Sequence, residues 1–163
     1  MQLTLRPATA SDSALVLSFI RDLAAYEQRM AEFQATEEAL RATLFSDAPC
    51  AECLLALADG APAGFAVFYT NYSTFLAKPG LYVEDLFVKP AFRKKGIGRA
   101  LLARIAAVAG ERGCGRVEWT VLDWNEPAIE FYATCGAAPM DDWRLCRLAG
   151  EALTKFAGMS VAS

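Results

Sequence analysis

The sequence contains no histidine. That absence removes Ser-His-Asp and Cys-His relays, His-ligated zinc and histidine general bases together. Proton transfer must fall to Glu, Asp, Tyr, Lys, Cys or ordered water. Long apolar runs are also missing: none reaches the roughly 18–20 residues of a membrane span. There is no basic excess, because 16 Lys and Arg stand against 19 Asp and Glu, for a net charge of −3. A general nucleic-acid binder needs a broad basic face, so neither nucleic acid nor membrane is an expected partner. The stretch Met1-Gln2-Leu3-Thr4-Leu5-Arg6-Pro7 has no basic segment leading into an apolar one. No secretory signal is therefore expected, and a cytoplasmic location is.

Cysteines are few and odd in number: Cys50, Cys53, Cys114, Cys135 and Cys146. Without a secretory signal this predicts reduced thiols. Cys50-x-x-Cys53 has a redox or half-zinc spacing. Zinc would need further ligands, and no second Cys pair exists. A thioredoxin-like pair ends a strand and opens a helix. Here Cys53 leads into Leu54-Leu55-Ala56-Leu57, the start of a strand. No metal is expected, and a redox role ranks last.

What is present is apolar: 55% hydrophobic and 21% charged residues over 163 positions. That suffices for one compact domain over residues 1–163 with a sizeable core. Residues from about 150 read as a short helical turn and a tail. Alternation predicts strands at 2–6, 53–58, 64–70, 81–88, 116–122 and 143–148. Apolar residues at helical spacing predict helices from Ser11 or Asp12 to about Arg29, from Thr36, from Gly98 to Gly113, and from Pro127 to about Cys135. The order is β-α-α-β-β-β-α-β-α-β, an α/β sheet with helices on its faces.

Three segments carry chemistry. Arg93-Lys94-Lys95-Gly96-Ile97-Gly98-Arg99 follows a strand and opens a helix. Its glycines let backbone N–H groups approach a ligand, and the helix start adds partial positive charge. Together with the cationic side chains these suit a diphosphate. The spacing is neither a Walker A loop nor a Rossmann fingerprint. Read alone, the segment is equally a basic helix cap with a glycine turn. Next, Leu81-Tyr82-Val83-Glu84-Asp85-Leu86-Phe87-Val88 sets two carboxylates inside an apolar strand. Burial of a carboxylate is costly unless paired, and such costs gather at working sites. Adjacent residues point to opposite faces unless a bulge re-aims one. The third segment, Asp123-Trp124-Asn125-Glu126-Pro127-Ala128-Ile129-Glu130-Phe131-Tyr132, ends a strand and opens a helix. Tyr132 there is an ordinary packed aromatic or a proton donor.

In this order the three segments resemble the GNAT superfamily of acetyl-CoA-dependent N-acetyltransferases. Arg93-Lys94-Lys95-Gly96-Ile97-Gly98 resembles that superfamily's R-x-x-G-x-G/A pyrophosphate loop. The branch of diamine and thialysine acetyltransferases is the more similar one. Arg6-Pro7-Ala8-Thr9, Leu23-Ala24-Ala25-Tyr26-Glu27, Tyr82 to Val88, Val121-Leu122-Asp123-Trp124-Asn125 and Trp143-Arg144 carry that resemblance. It implies a mixed, mostly antiparallel twisted sheet flanked by helices, with a splayed parallel strand pair holding acetyl-CoA. It implies pantetheine contacts at Leu86, Phe87, Val88 and Asn125. The turn Arg93, Lys94, Lys95, Gly96, Ile97, Gly98 and Arg99 would hold the diphosphate. Glu84 is implied as base and Tyr132 as acid. Tyr26, Glu27, Glu84, Asp85, Asp141 and Trp143 would line the site of a small cationic amine. A homodimer is implied as well. Protein or peptide acetylation and a non-catalytic CoA-binding module are the alternatives.

Overall fold

Alternation of apolar residues becomes ladder wherever a neighbouring strand accepts it. The computed structural model describes residues 1–159; residues 160–163, the end of the expected tail, lie outside the described part. Among the described residues five strands form one sheet in the order β1-β2-β3-β4-β5. β1 (Leu3–Pro7), β2 (Glu52–Ala58), β3 (Ala61–Ser73) and β4 (Lys78–Val88) pair antiparallel in turn. β5 (Val117–Trp119) pairs parallel to β4. The β2–β3 hairpin closes on Asp59-Gly60, both at positive φ, which matches the right-handed twist of the strands it joins.

The chain divides into two compact units, Met1–Leu122 and a smaller one that begins at Asp123. In the first, α1 (Ser13–Tyr26) and α2 (Glu37–Leu44) cover one face of the sheet. Val16 and Phe19 of α1 join Cys53, Leu55, Phe65, Val67 and Phe87 in a buried cluster. Phe19 stacks on Phe65 at 5.2 Å. Each such aromatic burial contributes about 1.5–3 kcal/mol. Thr36 caps α2 by accepting from the Ala39 N–H at 3.1 Å, and the Ser13 hydroxyl donates to Glu37 at 2.7 Å, joining the two helices. Arg6 holds Asp12 through two bonds of 2.8 and 2.7 Å. This pairing keeps the Asp12 carboxyl far below the usual range. It also fixes the Arg6-Pro7-Ala8-Thr9 corner at the start of α1. α3 (Ile97–Glu111) packs on β3 and β4 and buries Ile97, Leu101, Leu102 and Ile105. The smaller unit contains α4 (Glu126–Thr134) and α5 (Gly150–Ala157).

Two expected strands differ. The strand over 116–122 is only Val117–Trp119. Its partner β4 departs one residue further on, so the ladder stops at Val83 and Trp119. The strand over 143–148 does not form. Trp143 and Leu145 alternate as a strand would, yet are 73% and 71% exposed. Alternation supplies a face, but a strand also needs a neighbour for its N–H and C=O groups.

Candidate active site

Sequence logic set Glu84 and Asp85 on opposite faces; the register of β4 brings them together. Val67 stands opposite Asp85 and Phe68 opposite Val83, so Glu84 is an extra residue with no partner on β3. This is a β-bulge. β3 keeps its register with β2 across Val67 and Phe68, its own irregularity lying at Ala63, and Val67 and Tyr69 share the face covered by α1. Asp85 opposite Val67 and Tyr82 opposite Tyr69 therefore share it too. Glu84, two residues from Tyr82, joins them.

The electrostatics agree with that placement. Burial pushes the Asp85 carboxyl up to about 7, and the nearby charges of Glu84 and Glu27 add to the shift. Burial likewise raises the Glu27 carboxyl, with Arg29 opposing. Three carboxylates thus gather where the end of α1 meets the bulge of β4. Asp85 also lines a cavity of about 130 Å³ with Ile20, Leu40, Thr43, Leu44, Cys50, Ala51 and Val67. The Cys53 thiol below it is pushed up to about 12, by burial first and then by Asp85 and Asp12. A thiol held that high does not supply the thiolate that redox exchange needs.

A raised carboxyl has a defined consequence for stability. Below the ordinary value of about 4 both folded and unfolded chains carry the proton. Above about 7 both have lost it, and the fold bears the full cost of a buried charge. Stability should therefore fall as pH rises from about 4 to about 7, on the order of 2–4 kcal/mol. Denaturant titrations at pH 5 and 8 should show this loss in the native protein and little of it in Asp85→Asn. Equal losses in both would remove Asp85 as the source.

Beyond the bulge, β4 leaves its parallel neighbour. Pairing with β5 covers Leu81 to Val83 only, so Glu84 to Val88 present an edge on that side, while Asp85 to Val88 pair with β3 on the other. This wedge is where an extended ligand arm can add hydrogen bonds. At the end of β4 the chain makes a 3₁₀ turn, Pro90–Phe92, and then the glycine turn into α3. Lys94 and Gly96 both adopt left-handed φ, 59° and 80°. Gly96 is the N-cap of α3, and no side chain caps the helix. The first N–H groups of α3, Ile97 and Gly98, stand at the positive end of the helix dipole, which suits an anion. Lys95 reaches back to the Ala91 carbonyl at 3.0 Å. The Arg93 side chain also turns back: its Nε–H donates to the Val88 carbonyl at 2.9 Å.

The stretch that builds the bulged strand, its one-sided edge and the glycine turn lies within the match to a known family. The model of the acetyltransferase (GNAT) family fits residues 19–137. The chain belongs to the GNAT family. An L-ornithine N5-acetyltransferase of Arabidopsis thaliana is 34% identical over 91% of this chain and 85% of its own length. A thialysine N-epsilon-acetyltransferase of Bos taurus is 36% identical over 94% of this chain and 96% of its own. The solved structure of an integron cassette protein from the mobile metagenome of V. cholerae superposes with a TM-score of 0.81 at 25% identity, over 97% and 99% of the two chains. The protein is accordingly an N-acetyltransferase. No group of three or more His, Cys, Asp or Glu among the described residues could hold a metal ion.

In GNAT terms, the larger unit gathers Tyr26, Glu27, Glu84, Asp85, the Leu86-Phe87-Val88 edge and the turn from Arg93 to Arg99. The remaining sequence-predicted residues lie in the smaller unit. Asn125 is the N-cap of α4 and is buried; Pro127 sits in the first turn. Tyr132 is half-buried, its ring 5.2 Å from that of Phe131. Asp141 lies in a turn and is exposed, as is Trp143.

Sequence reasoning passed over Tyr69 and Tyr82. Their rings lie 5.3 Å apart on the face of Glu84, and burial, Glu84 and Tyr82 together raise the Tyr69 hydroxyl. The Tyr82 hydroxyl donates to Thr120 at 3.3 Å. Only the two-residue spacing of Tyr82 from Glu84 hinted at a shared face.

Proposed function

We propose that this chain transfers the acetyl group of acetyl-CoA to a primary amine of a small cationic molecule, a diamine, polyamine or thialysine- or lysine-like compound. The observation that carries the reading is the β4 bulge. It sets the carboxylates of Glu84 and Asp85 on one face, directly before the splayed edge and the uncapped turn. Acidic groups attract a cation and hold it at the bond to be made. The names of the relatives, which act on ornithine and thialysine, support a small amine as acceptor.

In this reading residues 1–163 work as one acetyltransferase domain. Main-chain N–H groups from Lys94 to Arg99 bind the diphosphate, and the backbone of Leu86, Phe87 and Val88, with Asn125, binds the pantetheine arm. Tyr26, Glu27, Asp85, Asp141 and Trp143 line the acceptor. Its amine arrives as ammonium, because a primary amine titrates near 10.4. Glu84 takes one proton through water. The freed nitrogen bonds to the acetyl carbon while the carbon–sulfur bond breaks, and a backbone N–H of the β4 edge steadies the carbonyl oxygen. Tyr132 gives its proton to the departing thiolate, and the surplus proton on the acylated nitrogen passes to the Tyr132 phenolate, which leaves a neutral amide, the CoA thiol and one proton on Glu84. No protein nucleophile takes part, so the lack of histidine is no obstacle. The exposed aromatics Tyr72 and Phe75 near the β3–β4 turn support a homodimer.

A panel of diamines, lysine analogues and peptides, read by CoA release, tests this reading. Turnover of small amines supports it. Turnover confined to peptides, or CoA binding with no transfer at all, contradicts it. The turn has its own test. Gly96 sits at φ 80° with open space where a Cβ would go, so Gly96→Val strains the backbone without a clash. Left-handed β-branched residues cost about 1–2 kcal/mol or more. Calorimetry should show CoA binding at least about tenfold weaker; an unchanged Kd refutes the cradle.

A further inference from the structure

The cavity beside Asp85 has no part in the transfer as written above. Its walls are apolar: Ile20 of α1, Leu40 and Leu44 of α2, and Val67 of β3. Its volume is about 130 Å³, the scale at which a protein cavity holds a small organic molecule. Polar groups on the wall are few. The Thr43 hydroxyl is spent on the Ala39 carbonyl at 2.7 Å. The loop after α2 is pinned back by the Cys50 N–H, which donates to the Thr43 carbonyl at 2.9 Å, and Cys50 so joins the wall. Among the described lining residues Asp85 alone is acidic and none is cationic.

A carboxylate in such a place needs a partner. Burial and the charges of Glu84 and Glu27 all act on Asp85 in one direction, and no donor or cation opposes them. The cations of the surrounding elements are engaged elsewhere. Arg21 of α1 lies over the Phe33 ring at 5.5 Å, and Lys89, after β4, over the Phe19 ring at 5.0 Å. Arg41 of α2 is held on Glu37 at 2.9 Å, and Arg29, past α1, on Glu32 at 2.6 Å. The Cys53 thiol of β2 is kept neutral and adds no positive charge. An ammonium brought into the cavity supplies the missing partner. A second carboxylate brought there meets Asp85 with nothing to pair it. Glu84, the neighbouring residue, shares the face of Asp85 through the bulge. A molecule whose reacting nitrogen stands at Glu84 can therefore send its far end to Asp85.

We propose that this cavity is the subsite for the far end of the acceptor, that it takes a short methylene chain ended by a bare ammonium, and that it makes the enzyme selective for diamines over α-amino acids. The methylenes lie on Ile20, Leu40 and Leu44, and the ammonium pairs with Asp85. Ornithine is 1,4-diaminobutane with one carboxylate added beside the far amine, and that carboxylate enters unpaired. The relatives named for ornithine and thialysine act on amino acids; the cavity sets this chain apart from them. The proposal rests on the reading of the chain as a small-amine acetyltransferase and narrows it.

Two measurements test it. The first is the ratio of kcat/KM for 1,4-diaminobutane to that for ornithine, two acceptors that differ by the carboxylate alone. The native enzyme should favour the diamine at least about tenfold. Leu44→Phe, which fills the cavity with a ring, should bring the ratio to within about twofold of one, and Asp85→Asn should do the same. The second reads occupancy of the cavity in the native protein without turnover. Desulfo-CoA replaces acetyl-CoA, so no transfer occurs and no coenzyme thiol consumes the reagent. Saturating 1,4-diaminobutane should slow alkylation of Cys50 by iodoacetamide at least about fivefold. Cys146, exposed and outside the cavity lining, should react at an unchanged rate, and ornithine should protect Cys50 less than the diamine does. Ornithine used as well as the diamine or better, a preference that survives in Leu44→Phe, or an unprotected Cys50 in an enzyme that acetylates small amines overturns the subsite and leaves the amine reading standing. Turnover of no small amine at all overturns that reading and the subsite with it.

Discussion

Tyr132→Phe should lower kcat at least about 100-fold while changing the CoA Kd less than about twofold. The phenol and the CoA thiol have similar proton affinities, about 10 and 8.5 in ordinary surroundings. A phenol is therefore fully protonated at neutral pH, yet can yield its proton to a thiolate at little cost. General acid catalysis of this kind contributes typically 10²–10⁴-fold. The substitution removes one oxygen and keeps the ring, so the 5.2 Å contact with Phe131 survives and α4 retains its packing. Steady-state release of CoA and calorimetry, run on the same preparation, separate the two effects. Full kcat in the variant would remove Tyr132 from the acid role.

Glu84→Gln should cut kcat/KM at pH 7 by about 10²–10³ and change the shape of the pH–rate profile. At pH 7 only about one amine in a thousand or fewer is free base. A carboxylate at the bulge recovers the rest; an amide does not. The variant should then follow the free-amine fraction, rising about tenfold per pH unit, and approach the native rate near pH 10. Glu84 is exposed on a strand that pairs around it, so folding should be little affected. An unaltered profile argues against Glu84 as base. An unaltered profile in Glu84→Gln, with a shifted one in Asp85→Asn, would move the base one residue along, to the carboxyl already raised to about 7.

Much of this site was legible because glycine and charge leave strong marks. Gly96 was readable as a backbone requirement, and the structure puts it at φ 80° before an uncapped helix. The pair Glu84-Asp85 was readable as a conflict: two carboxylates in an apolar strand, on opposite faces by alternation. The bulge that resolves the conflict was not readable, because register depends on which β3 residue stands opposite, and a strand's own sequence does not carry that. The same bulge explains the overlong β5, whose ladder ends at Trp119. Residues 143–148 failed for a related reason, since period-two alternation specifies a face and not a partner. Side-chain direction was the last gap. The motif gave Arg93 to the diphosphate turn, but only the structure shows its guanidinium turned toward Tyr26 and the Val88 carbonyl.

What the turn from Arg93 to Arg99 binds decides how this enzyme holds its acetyl donor. A crystal structure of the protein with acetyl-CoA tests it most directly. The diphosphate should lie on the main-chain N–H groups of Lys94 to Arg99, with the pantetheine arm extended along Leu86, Phe87 and Val88. A diphosphate found anywhere else, with that turn empty, would contradict it.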